Sequence, residues 1–110
     1  MNYQHKDLAN GRWGQMPFLK QMANIGGEVE RALNWQEKNN APYCQQAFER
    51  ALELIDLTIE SALKPSSFRE LARMREAIVD YFQGQNEFGS SKKSWREYFF
   101  HFGYAARKNY

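Results

Sequence analysis

Four segments of this chain repeat apolar residues every three or four positions, and each is bounded by glycine, proline, serine or asparagine. A period near 3.6 confines such segments to helices. Phe18, Met22, Ile25, Val29 and Leu33 make the first row. The second is Cys44, Ala47, Phe48, Ala51, Ile55, Thr58, Ile59 and Ala62. In the third, Phe68, Leu71, Ile78 and Phe82 flank a central Arg75. The fourth differs, because Trp95, Tyr98, Phe99, Phe100, Phe102 and Tyr104 circle the cylinder instead of forming one stripe.

The punctuation between rows predicts helices near residues 17–39, 42–63, 67–83 and 92–107. Pro17 suits a first helical position, where its missing N–H is not needed. Ser67 with Glu70 three residues on reads as a capping box. Gly84 closes the third helix, and Ser90 or Ser91 caps the fourth. No stretch alternates apolar and polar residues over strand length. Short connections make sequential helices antiparallel neighbours, so the expected fold is all-α, an antiparallel up-and-down four-helix bundle. Residues 1–15 are expected to form an irregular N-terminal arm and residues 16–110 the bundle domain. Asn10-Gly11 is a turn signal and Gly14 interrupts any helix there, with Trp13 packing back onto the bundle.

At 110 residues there is room for one core. A lone Cys44 cannot form an internal disulfide and reads as buried filler on an apolar face. Residues 1–20 hold no apolar run long enough for a signal peptide, so the expected location is the cytoplasm, with no membrane contact. The net charge of +2 is no nucleic-acid footprint, although Lys92, Lys93, Arg96, Arg107 and Lys108 gather in the last fifth.

Five features depart from a plain bundle. Gly26-Gly27 sits mid-helix, where each glycine costs ~1 kcal/mol relative to alanine; close approach of a neighbouring helix explains it. Glu49, Glu53, Asp56 and Glu60 form an acidic row on the second helix. Carboxylate metal sites in bundles add a Glu-x-x-His pair, and neither His5 nor His101 has a glutamate three residues before it. No metal and no cofactor are therefore expected. Arg75 on an apolar face should be largely buried and paired with a carboxylate, for which Glu28, Glu53 and Asp56 are the candidates.

The fourth feature is Arg96 with His101. An arginine can hold a phosphate and a histidine can move a proton near neutral pH, so the two could cleave RNA with the ribose 2′-OH as nucleophile. On an ideal helix they stand about 140° apart, so one site would need both copies of a dimer. The fifth is the aromatic helix, which one bundle position cannot cover. A dimer interface containing Trp95, Phe99, Phe100, Gly103 and Tyr104 is the simplest cover.

Asn10-Gly11-Arg12-Trp13, Gln21 to Gly26, Ala47 to Leu54, Arg75-Glu76-Ala77, Asp80-Tyr81-Phe82 and Tyr104 to Arg107 together resemble a family of short, uncharacterised prokaryotic proteins. The family tends to carry serine at the positions of Pro17 and Gly27. More distantly the architecture is similar to HEPN domains and to four-helix proteins encoded in ribosomal-RNA intervening sequences. HEPN ribonucleases carry an arginine and a histidine at the spacing of Arg96 and His101, with a small polar residue where this chain has Glu97. The resemblance implies a helical bundle and leaves function open. Two functions are expected: a non-enzymatic homodimeric module binding a protein or RNA partner, or a HEPN-like metal-independent ribonuclease using Arg96 and His101.

Overall fold

A computed structural model describes residues 11–108 of the protein. Among these residues are four α-helices and no strand: α1 is Phe18–Glu37, α2 Ala41–Ser61, α3 Pro65–Gln83 and α4 Lys92–Lys108. The four apolar rows thus build an all-α bundle. The first ten residues of the expected arm lie outside the described region.

Side-chain pairings show the helix directions. Between α1 and α2, Gln21 meets Ser61, Glu28 meets Arg50 and Trp35 meets Tyr43. One number rises as the other falls. The same holds for α2 and α3 through Phe48–Phe82 and Asp56–Arg75, and for α1 and α4 through Phe18–Phe102 and Glu37–Arg96. α1 packs closely on both α2 and α4, whereas the α3–α4 flank is loose.

Met22, Ile25, Val29 and Leu33 of α1 meet Phe48, Ala51, Leu54 and Ile55 of α2 in one core. Leu71, Met74 and Ile78 of α3 and Trp95 and Phe99 of α4 close it. Each large apolar side chain buried there contributes ~1.5–3 kcal/mol. Cys44 lies at the end of its row and is only half-buried; burial raises its thiol pKa. No helix among the described residues is long and apolar enough to cross a membrane.

The helix ends differ in part from expectation. The Asn40 side chain caps α2 by accepting from the Tyr43 amide at 3.0 Å, and Asn39 turns the chain with φ 57°. Ser91 and Ser94 cap α4 reciprocally, each side-chain oxygen accepting from the other's amide, at 3.0 and 2.9 Å. Pro17 precedes α1 as its cap residue rather than opening the helix. The Ser67–Glu70 capping box does not form. Pro65 starts α3 one half-turn earlier, with its fixed φ suited to that place, so Ser67 and Glu70 are already helical. The Glu70 carboxylate instead accepts from Tyr98 Oη at 3.0 Å.

Phe68 also departs from the expected row, being 50% exposed. The buried face of α3 centres on Leu71, Met74 and Ile78. At 100° per residue, Phe68 stands about 60° from Leu71, on the side away from Met74. Arg75 lies on that same flank.

The arm folds back onto the bundle at Trp13. Trp13–Gln15 form a short 3-10 turn, and the buried Trp13 indole donates from Nε1 to Thr58 Oγ1 at 2.8 Å. Gln21 Nε2 donates to the Trp13 carbonyl at 2.9 Å, tying the turn to α1.

Candidate interaction surface on the fourth helix

The aromatic residues of α4 divide between two faces. Trp95 and Phe99 are buried, and the half-buried Tyr98 and Phe102 pack against the same core. With Ala106, these five residues fall within an arc of about 100° on an ideal helix. That arc faces α1 on one side and α3 on the other. Phe100 and Tyr104 stand opposite and are 61% and 54% exposed. Their rings stack on each other with centroids 6.3 Å apart and planes at 23°.

The interface expected from sequence is therefore corrected. Trp95 and Phe99 belong to the core, because the loose α3–α4 flank and α1 together cover more of α4 than one neighbour would. Phe100 and Tyr104 do face outward. Gly103 is half-buried at the edge of a groove of about 400 Å3 between α1 and α4, bordered by Ala23, Gly26, Phe100 and Arg107.

The outward stripe continues in both directions from the two rings. Lys93 and Glu97 precede them and form an exposed pair at 3.9 Å. Arg107 and Lys108 follow, both exposed and with no ion-pair partner among the described residues. Cations suit the end of a helix, where the backbone carbonyls concentrate negative potential.

Arg96 and His101 are not brought together within the chain. Arg96 lies across α1, where Nε donates to both Glu30 carboxylate oxygens at 3.1 and 3.0 Å. Its Nη1 pairs with Glu37 at 2.9 Å, and Nη2 donates to Asn34 Oδ1 at 3.2 Å. Hydrogen bonds to Glu30 and Glu37 raise the guanidinium pKa. His101 is exposed and touches only the edge of Phe100 among the aromatic rings. The guanidinium donors that would hold a phosphate are thus directed at two carboxylates. Sequence reasoning missed this α1 stripe, although Glu30, Asn34 and Glu37 lie within a 60° arc by their spacing.

The expected buried ion pair of Arg75 forms, but not in the interior. Arg75 Nε donates to Asp56 Oδ1 at 2.8 Å, with the two side chains 40% and 43% exposed. The flank position of Arg75 on α3 explains its exposure. Glu28 is instead the buried carboxylate. It accepts from Arg31 Nη1 at 2.7 Å and from Arg50 Nε at 3.1 Å, joining α1 to α2. Glu53 is half-buried on α2. No group of three His, Cys, Asp or Glu among the described residues is placed to hold a metal ion.

A second cleft, of about 430 Å3, opens on the α3–α4 flank between Met74, Ala77, Phe88, Trp95 and Tyr98. The preceding loop is held by Asp80, whose carboxylate accepts from the Glu87 and Phe88 amides at 2.9 and 3.0 Å. This fixes Phe88, 60% exposed, at the mouth of the cleft. Trp95 lines both this cleft and the α1–α4 groove, and its Nε1 is buried with no partner among the described residues.

Comparison of the chain with protein-family models, with curated proteins and with solved structures gives no match.

Proposed function

We propose that this protein is a non-enzymatic interaction module whose partner surface is the outer face of α4, and that it works as a homodimer. The observation that carries this reading is the exposed Phe100–Tyr104 stack. Two adjacent rings held outward on a rigid helix keep apolar area in water, and such patches usually mark contact with another macromolecule. Aromatic residues are also the anchors that interfaces favour. The two rings already stack on each other, which limits the side-chain entropy lost on association.

Catalysis by Arg96 and His101 draws no support from the geometry, because Arg96 is engaged by Glu30 and Glu37. Sedimentation equilibrium at micromolar concentration tests the dimer. The wild-type chain should sediment as a dimer, and Phe100→Ser with Tyr104→Ser should sediment as a monomer with unchanged helicity. A wild-type monomer across that range would overturn the reading.

A further inference from the structure

The outward stripe of α4 opens on Lys93, which pairs with Glu97 within the chain, and from Glu97 to its C-terminal end it reads acid, ring, ring, base: Glu97, Phe100, Tyr104, then Arg107 and Lys108. Reversing the helix turns this order into base, ring, ring, acid. The stripe is therefore complementary to itself when two copies lie antiparallel. A two-fold interface requires that property, because each residue i that meets j implies a second contact of j with i.

From this pattern we infer that the occupant of the α4 face is a second copy of the chain, with the two α4 helices antiparallel about a two-fold axis level with residue 102. This inference rests on the dimer proposed above and adds its register. Phe100 of one protomer then lies against Tyr104 of the other, since both are two residues from the axis. Glu97 lies five residues before the axis and Arg107 five after it. Each Glu97 thus faces the partner's Arg107 with Lys108 beside it. On an ideal helix Glu97, Phe100, Tyr104 and Arg107 fall within about 80° of one another, a single packing stripe.

The alternative direction fails on charge. A parallel pair would set Glu97 against the partner's Glu97 and Arg107 against the partner's Arg107. Like charges opposed across an interface are unfavourable, whereas the antiparallel register makes two symmetry-related attractive pairs. Both pairs lie at the rim, so they select direction and register more than they add affinity.

Charge reversal separates the register from the dimer itself. Glu97→Lys places like charges opposite each other at both symmetric positions and should weaken dimerisation by about tenfold, less so in high salt. Arg107→Glu with Lys108→Glu should do the same. Combining all three substitutions restores opposite charges, and the dissociation constant should return to within about threefold of wild type. Because the combined variant keeps any cost of acids at the helix end, its recovery cannot come from improved folding. A wild-type dimer that ignores Glu97→Lys, as a parallel pair would, overturns the register and leaves the interaction reading standing. So does a weakened Glu97→Lys dimer that the combined variant fails to restore. A wild-type monomer removes both.

Discussion

Gly26 of α1 lies so close to Phe99 of α4 that a Cβ on Gly26 would sit 2.8 Å from the Cβ of Phe99. That contact sets how near α4 comes to α1, and so how the remaining α4 side chains are aimed. With Phe99 seated on the glycine, Phe100 and Tyr104 are left on the outer face. The neighbouring Gly27 has nothing within 4 Å of its position for a Cβ. The two glycines therefore answer to different causes.

Gly26→Ala should destabilise the bundle by up to ~2 kcal/mol. The gain in helix propensity of ~1 kcal/mol is outweighed by overpacking, which costs ~1–3 kcal/mol when a backbone-anchored atom must move. Gly27→Ala should instead stabilise by ~0.5–1 kcal/mol, since an open helical site takes a methyl without strain. Urea denaturation of the two variants should therefore give midpoints on opposite sides of wild type.

The two arginine–carboxylate contacts to α2 should differ in strength. Arg75→Ala should cost under ~1 kcal/mol, because its pair with Asp56 is about two-fifths exposed and water screens it. Glu28→Ala should cost more, ~2 kcal/mol, because Glu28 is buried and serves both Arg31 and Arg50. A double-mutant cycle between Glu28 and Arg50 should show the larger coupling. Equal coupling in the two cycles would contradict the assignment.

Thr58→Val should cost ~1–3 kcal/mol by leaving the buried Trp13 indole N–H without its acceptor. Trp13→Phe combined with Thr58→Val removes donor and acceptor together. Relative to Trp13→Phe alone, the added valine should then be much less damaging than it is in wild type. Thermal unfolding of the four proteins would measure the difference.

The helices and most of the core were legible in the sequence because periodicity reports which residues share a face. It does not report where the neighbouring helices stand around that face. The row Phe68, Arg75, Phe82 illustrates the limit. A seven-residue step drifts by about 20° on a straight helix, so residues that look aligned are not equally buried. Phe68 and Arg75 fall on the flank, and Met74, outside the expected row, is buried. In α4 the sequence placed more aromatics than one stripe can hold, which was right. Which of them pointed outward depended on the Gly26–Phe99 contact, a long-range fact no local pattern contains. The partners of Arg96 were illegible for the same reason, since they lie about sixty residues away on α1.

Stability should fall with rising alkalinity through Tyr98. Its phenol pKa is raised well above 10, first by burial, then by the nearby Glu70 charge and the hydrogen bond donated to that carboxylate. The unfolded tyrosine ionises near pH 10. Above that pH the unfolded chain has lost this proton while the folded chain keeps it. The folded state then binds more protons, and linkage makes unfolding easier as pH rises. The stabilisation is complete below pH 10 and declines from there toward the folded pKa. Tyr81 is shifted the same way by burial and adds to the trend. Tyr98→Phe removes the ionisable group, so its stability should decline less steeply than that of wild type between pH 10 and 11.5. Lysine and arginine titrations are common to both proteins and cancel in the comparison. Parallel declines, measured as melting temperature against pH, would show that the Tyr98 hydroxyl is not shielded on the α3–α4 flank.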